Sequence, residues 1–193
     1  MQENTLSQQE LLALALEASR RGDSAHSLLY MKQAAAREDA TPQAFFLLGS
    51  EYAQIGMTVE ALLNFQRAVE LDPDFAIARF QLGLLLLTTA QPDAALAAWA
   101  PLSDLGNVHP LSVFHSGLQH LIRDEFGECI SCLLRGIELN TENPALNHDM
   151  QQIVNSIRAH VDSQGAAPSE SKAGEEQAEG HLFLNAYTGG KVH

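Results

Sequence analysis

A period of 34 residues runs through this sequence and restricts the folds open to it more than any other feature. Gly49, Gly83 and Gly117 are 34 residues apart, and Ala15 stands one step earlier. Two other columns repeat with the same step: Leu12, Phe46, Phe80, Phe114, and Met31, Phe65, Trp99, Leu133. A fixed period of this length indicates a stack of similar structural units.

Each unit is predicted to be a pair of α-helices, because apolar residues recur at helical spacing in two bursts separated by short breaks. The first helices are expected over 8–21, 42–55, 76–89 and 110–123, and the second helices over 24–37, 58–71, 92–105 and 126–139. Pro42, Pro110 and Pro144 fall on the same grid, and proline suits the first turn of a helix, where its missing N–H is no loss. The excess of Ala and Leu also favours an all-α fold.

The predicted architecture is an α-solenoid of four helix hairpins, with a capping helix over 144–160 and a disordered tail. The domain is expected to span 1–161, and the polar composition of 162–193 predicts a flexible acidic tail that ends in an apolar segment, 181–187. Pro101 lies inside the second helix of the third unit, where proline removes a backbone hydrogen bond. We expect that helix to kink or stop near Ala100.

The second unit, 42–75, resembles the tetratricopeptide repeat. The residues that carry the resemblance are Phe45, Leu48, Gly49, Tyr52, Gly56, Ala61, Phe65, Ala68, Leu71, Asp72 and Pro73. Gly49 and Ala61 are small, so two helices can approach closely. The resemblance covers about 8–143, with units of about 8–41, 42–75, 76–109 and 110–143, and it is weaker outside the second unit.

The resemblance implies a protein-interaction module or adaptor, a scaffold that holds another polypeptide in a concave groove lined by the first helices. On this sequence the groove residues would be Leu12, Leu16, Phe46, Leu47, Ser50, Gln54, Phe80, Gln81, Leu84, Leu87, Thr88, Phe114, His115, Leu118, Leu121 and Ile122. The opposite face of the same helices is furnished by Leu14, Leu48, Tyr52, Leu82 and Leu86, which leaves the Phe column without an obvious interior role.

Most of the predicted groove residues are apolar, so the expected ligand is an apolar peptide or an amphipathic helix. Family members that clamp a terminal carboxylate use basic and amide side chains there. This sequence has Leu16, Ser50, Leu84 and Leu118 at the corresponding places, so a carboxylate clamp is not expected. The groove is also similar in character to that of the small acidic tetratricopeptide chaperones of secretion systems, which makes a chaperone for a partner protein the alternative.

Charge and composition narrow the partners. The net charge is −13, whereas nucleic acids and anionic membranes attract basic surfaces. The N-terminus has no basic start or apolar stretch typical of a secretory signal, and the apolar run 82–87 is too short to span a bilayer. We therefore expect a cytoplasmic protein that binds a polypeptide, with no nucleic acid and no membrane as partner.

Cys129 and Cys132 form the one catalytic-looking motif, a C-x-x-C pair. Cys129 stands in the column of Ala61 and Ala95, where a small apolar residue is needed, so core packing is the main interpretation. Thiol redox or metal-binding chemistry is the less favoured alternative. Because no phosphate-binding loop, nucleophile elbow or zinc-protease motif is present, the chain is not expected to be an enzyme or to need a cofactor.

The apolar end of the tail suggests a tethered ligand. Leu182, Phe183, Leu184 and Tyr187 follow a long polar stretch that is able to reach across a small domain. They could dock in the groove of their own chain or in that of a neighbour, which would produce self-association through the tail.

Overall fold

The computed structural model describes residues 6–165, with side chains through Ser163. Within these residues the chain forms nine α-helices, one 3-10 helix and no strand. The helices are α1 Gln8–Arg20, α2 Ser24–Ala35, α3 Pro42–Gln54, α4 Thr58–Leu71, α5 Ala76–Thr88, α6 Pro92–Trp99, α7 Pro110–Ile122, α8 Phe126–Leu139 and α9 Pro144–Gly165, with the 3-10 helix at Ala100–Leu105. The all-α prediction is confirmed, and each α-helix begins at the residue predicted from the sequence.

Local capping explains why the helices begin where they do. The Ser7 side chain accepts a hydrogen bond from the Glu10 backbone N–H, and the Glu10 carboxylate accepts one in return from the Ser7 N–H at 2.8 Å. Asp23 caps α2 by accepting from the His26 N–H at 3.1 Å. Such side chains satisfy N–H groups that lack a partner inside the helix. Proline occupies the first turn of four α-helices, at Pro42, Pro92, Pro110 and Pro144.

The chain divides into two compact units, with the boundary between Leu82 and Gly83. We call the parts before and after this boundary the first unit and the second unit, and we call each 34-residue segment a repeat. In the first unit α1 packs on α2, α2 on α3, and α3 on α4. Leu11, Ala34 and Ala44 form a buried cluster against which Leu12 and Tyr30 pack. Since Ala34 and Ala44 have small side chains, the helices that carry them can approach closely.

In the second unit α7 packs on α8, and α8 packs on α9. Trp99 is completely buried and its indole lies against the backbone of Gly83. Phe114 is likewise completely buried, with its ring against Gly136. Both glycines therefore provide room for an aromatic ring that any larger residue would obstruct.

Pro101 has the predicted effect on its helix. The α-helix α6 ends at Trp99, and the chain continues as a 3-10 helix until Gly106, whose φ of 85° lies in the left-handed region that favours glycine. Leu102 remains buried on this segment. The third repeat, 76–109, therefore departs from a regular helix hairpin at the predicted place.

The last helix covers the end of the second unit, as predicted. Its buried residues are Leu146, Met150, Ile153, Val154 and Ile157. The turn into it is held by Asn140, whose side-chain amide donates to the Asn143 carbonyl at 2.9 Å and to Asn147 Oδ1 at 2.8 Å. The helix continues to Gly165, beyond the predicted end at 160, so the first part of the predicted tail is helical. The remaining tail, including Leu182, Phe183, Leu184 and Tyr187, lies outside the described residues.

Candidate functional site

The predicted groove residues divide into accessible and buried positions. Those that keep solvent exposure are Leu12, Leu16, Phe46, Leu47, Ser50, Gln54, Gln81, Thr88, Leu121 and Ile122. Those that are buried are Phe80, Leu84, Leu87, Phe114, His115 and Leu118. The buried apolar members have no surface to offer a ligand, so the predicted groove is reduced to the accessible ones, and His115 lines a separate cavity beside α7.

The Phe column does have an interior role, contrary to the sequence-based expectation. Phe80 and Phe114 are completely buried, and Phe114 fills the space left by Gly136 on α8. Phe46 is half-buried, and its ring centroid lies 5.9 Å from that of Phe65 and 5.3 Å from that of Phe75. These distances are typical of aromatic pairs that stabilise a core.

The opposite face of the first helices is buried as expected, with one exception. Leu48, Tyr52, Leu82 and Leu86 are all buried, but Leu14 on α1 is 38% exposed. Because α1 belongs to the first repeat, no preceding helix hairpin among the described residues can pack against its outer side.

The first unit carries the most exposed apolar group of the predicted site. Leu16 is 42% exposed on α1, and Leu12, one turn earlier on the same side of that helix, is half-buried. On α3, Phe46 and Leu47 are also half-buried. We call these four residues the first-unit apolar face. Ser50 and Gln54, one and two turns after Phe46 on α3, are accessible polar residues.

The second unit contributes less apolar surface. On α7, Leu121 and Ile122 are half-buried at the end of the helix, whereas Leu118 and His115 are buried. Thr88 is half-buried at the end of α5, and its hydroxyl donates to the Leu85 carbonyl. These positions leave the second unit with a small accessible patch at its helix ends.

The two cysteines have the properties of packed thiols. Cys129 is completely buried, and burial raises its pKa to about 12. Burial also raises the pKa of the half-buried Cys132, with Arg135 acting in the opposite sense. Because the thiolate is the form that attacks disulfides and binds metals, these shifts disfavour both reactions at neutral pH. Within residues 6–165 no group of three or more His, Cys, Asp or Glu side chains is placed to hold a metal ion.

A polar cavity in the second unit escaped the sequence analysis. It has a volume of about 240 Å³ and lies beside α7, bounded by Ser103 of the 3-10 helix and by Cys132 and Arg135 of α8. Three of its lining residues, Ser112, His115 and Ser116, follow one side of α7. The available signal was Ser116, which stands in the column of Leu48 and Leu82 and so marks missing apolar volume.

No helix in the described part of the chain combines the length and the apolar character needed to cross a membrane.

Comparison with known proteins places the fold. The model of the tetratricopeptide (TPR) repeat family matches residues 49–89. A MamA structure from Desulfovibrio magneticus RS-1 (41-end) superposes with a TM-score of 0.59 at 16% identity, covering 94% of this chain and 93% of that chain. No curated protein matches the sequence.

Two further solved structures share the fold. YrrB, described as a TPR protein with an unusual peptide-binding site, has a TM-score of 0.57 at 17% identity, covering 81% of this chain and 74% of that chain. A tetratricopeptide repeat protein from Parabacteroides merdae ATCC 43184 has a TM-score of 0.56 at 16% identity, covering 95% and 68%. At these identities the likeness extends to the fold alone.

Proposed function

We propose that this chain, which has the tetratricopeptide repeat fold, is a protein-interaction module that acts as an adaptor and binds an amphipathic helix of a partner polypeptide on the first-unit apolar face. The observation that carries the proposal is the exposure of Leu16, at 42%, together with the partial exposure of Leu12 on the same helix and of Phe46 and Leu47 on α3. Exposed apolar surface of this kind is typical of a binding site. The remaining accessible positions, Gln81, Thr88, Leu121 and Ile122, are proposed as secondary contacts.

The charge of the chain favours a partner helix with a basic polar side. Acidic residues outnumber Lys and Arg by 24 to 11. Such an excess attracts cationic segments at long range and increases their rate of association. The apolar side of the helix would contribute the affinity, and its Lys and Arg residues would contribute the rate.

The test compares two leucines of similar exposure on different helices. Leu16 on α1 is 42% exposed and Leu29 on α2 is 47% exposed, so each Leu→Ser substitution should cost the fold little. The probe is a labelled amphipathic helical peptide with Leu and Phe on one side and Lys on the other, titrated in fluorescence anisotropy. Loss of one leucine contact of about 1.5 kcal/mol corresponds to about tenfold weaker binding for Leu16→Ser.

Leu29→Ser is expected to bind the peptide like the unmodified protein. If both variants bind equally well, or if both lose affinity to the same degree, the first-unit apolar face is not the binding surface. A peptide with Glu in place of Lys should associate more slowly, and the difference should shrink as salt is added.

The chain's own segment with Leu182, Phe183, Leu184 and Tyr187 is proposed as a competing occupant of the same face. Truncation should leave α9 intact, so the chain is shortened after Gly165, where that helix ends. A docked segment at high effective concentration weakens binding of an external ligand. The shortened chain should therefore bind the peptide more tightly. Equal affinity of the two forms would exclude this competition.

The chaperone alternative differs in what happens to the partner. A chaperone keeps its partner soluble before assembly, whereas an adaptor binds a partner that is stable alone. Co-expression of the chain with a captured partner, with and without Leu16→Ser, separates these cases by the soluble yield of the partner.

A further inference from the structure

The cavity beside α7 opens to solvent, since Ser103, Asn107 and Arg135 in its lining are exposed. Two serines of α7 in its lining stand where the second and third repeats carry apolar residues. Ser116 stands where the second and third repeats carry Leu48 and Leu82, which are 5% and 7% exposed. Ser112 stands where they carry the completely buried Ala44 and Ala78. The exchange removes apolar volume and adds two hydroxyl groups at the same place.

His115 supplies a hydrogen-bond acceptor to the cavity. Its Nδ1 lies 2.8 Å from the Ser112 carbonyl oxygen, which can only accept, so Nδ1 carries the hydrogen. Burial lowers the pKa of His115 and keeps the ring neutral. In a neutral ring with hydrogen on Nδ1, Nε2 has a free electron pair. The Ser103 hydroxyl lies 3.5 Å from Nε2, which is the outer limit of a hydrogen bond.

Ser112 supplies a donor. The residue is 6% exposed and lines the cavity, and its hydroxyl has no hydrogen-bond partner among residues 6–165. The neighbouring Ser116 hydroxyl is already used, because it donates to the Ser112 carbonyl at 3.0 Å. The Arg135 guanidinium, at the α8 side, donates to the Asn107 carbonyl at 3.3 Å and retains further N–H groups. Since no buried side-chain polar atom among the described residues lacks a partner, the unpaired Ser112 hydroxyl is reached by solvent from the cavity and is available to donate to a ligand.

We propose that this cavity binds a primary carboxamide, the side chain of Asn or Gln in the partner polypeptide. The carboxamide NH₂ donates to His115 Nε2, and its carbonyl oxygen accepts from the Ser112 hydroxyl. The volume of about 240 Å³ exceeds the roughly 30 Å³ of one water and admits a short polar side chain. The proposal rests on the proposed function only in that the ligand belongs to a bound polypeptide.

A carboxylate fits this set of groups less well than a carboxamide. It has no hydrogen to donate to Nε2, and its electron pairs would face that of the ring. Arg135 is the one charged residue in the lining, and its exposed guanidinium is held by Asn107. The donor and acceptor pattern of the cavity therefore selects a group that is both donor and acceptor, without a charge.

The test uses propionamide and propionate, two molecules of the same shape that differ in the group concerned. The full chain is labelled with ¹⁵N at histidine, and the His115 Nε2 signal is followed by NMR during each titration. Propionamide is expected to shift this signal saturably towards lower frequency, as an acceptor nitrogen does when it gains a hydrogen bond. Propionate is expected to leave it in place.

Two serine variants show whether the response arises in the cavity. Ser112→Ala removes the unused donor and should weaken propionamide binding about fivefold. Ser131→Ala, on the exposed side of α8, should have no effect. Because Ser112→Ala only deletes a hydroxyl that bonds to no described residue, it is expected to fold, and an unchanged amide spectrum checks this.

Each other outcome overturns the proposal. A propionate-induced shift with a raised pKa of His115 would identify an anion site. No response to either molecule would mean that the cavity holds only water. Neither titration involves the first-unit apolar face, so Leu16→Ser should respond to propionamide like the unmodified chain even if the peptide fails to bind there.

Discussion

Replacement of Gly83 by alanine tests the close contact between α5 and α6, the two helices of the third repeat. A Cβ added at Gly83 would lie closer than 3.0 Å to three ring atoms of Trp99, a separation that real Cβ atoms essentially never show. The indole is completely buried and rigid, so it cannot turn aside without displacing its neighbours. Either the ring or the backbone of α5 has to move.

The expected cost follows from two opposing terms. Overpacking of a buried contact costs about 1–3 kcal/mol, and the three-atom overlap places this site near the upper end. Alanine in place of glycine within a helix returns up to about 1 kcal/mol through helix propensity. The net loss of unfolding free energy is therefore about 2 kcal/mol, which lowers Tm by about 4–8 °C in a chain of this size.

Gly127 provides the matched control, because a Cβ there meets nothing within 4 Å. Gly127→Ala on α8 should leave stability unchanged or raise it by up to about 1 kcal/mol. Urea unfolding followed by fluorescence is suited to the comparison, since Trp99 is the sole tryptophan and lies at the contact itself. If Gly83→Ala unfolds at the same urea concentration as Gly127→Ala, the close approach of Gly83 and Trp99 is not present in solution.

Three further predictions concern the second unit. Because burial raises the pKa of Cys129 to about 12, thiol reagents at neutral pH should modify Cys132 first and leave Cys129 unmodified until the chain unfolds, as read by mass spectrometry. Asn140→Ala should lower the unfolding free energy by about 1–3 kcal/mol in urea titrations, because it removes the side-chain hydrogen bonds to Asn143 and Asn147 and leaves part-buried polar groups of the α8–α9 turn unpaired. Burial lowers the pKa of His115, so the unfolded chain binds a proton more readily than the folded one, and the free energy of unfolding should fall as pH decreases below about 6.5. His115→Gln should reduce that slope between pH 5 and pH 7, and an unchanged slope would contradict the assignment.

The helix boundaries were predictable because they depend on local chemistry. Prolines at 42 and 110, and polar residues such as Ser7 and Asp23, mark helix starts through interactions within a few residues of the chain. The break at Pro101 is local in the same sense. The 34-residue period strengthens these signals, because the same helix boundaries are expected at equivalent positions in every repeat.

The depth of the first-helix residues was not predictable from the period. A helical pattern tells which residues share a face, but it does not tell how closely a neighbouring helix approaches that face. Phe114 is buried because Gly136 replaces the Ala34, Ala68 and Leu102 of its column and lets the ring approach α8. The consequence of that exchange depends on a contact between helices.

The cavity was missed for a related reason. Periodicity identifies the residues that fill a core, whereas a cavity results from volume that is missing at several positions at once. In the sequence, Ser116 is only a polar exception in an otherwise apolar column. The structure shows that it lines the same cavity as Ser103 of the 3-10 helix and Cys132 of α8. Its polar character depends further on which nitrogen of His115 faces the carbonyl of Ser112, a detail of side-chain geometry.

The 3-10 helix also changes how the length of the third repeat should be compared with that of the other repeats. A 3-10 helix advances about 2.0 Å per residue and an α-helix about 1.5 Å. Over the 6 residues of Ala100–Leu105 the difference amounts to about 3 Å of added length without an inserted residue. A sequence alignment of the repeats matches them residue for residue and needs no gap at this point. The altered spacing is therefore invisible to any method that recognises structural change by insertions and deletions.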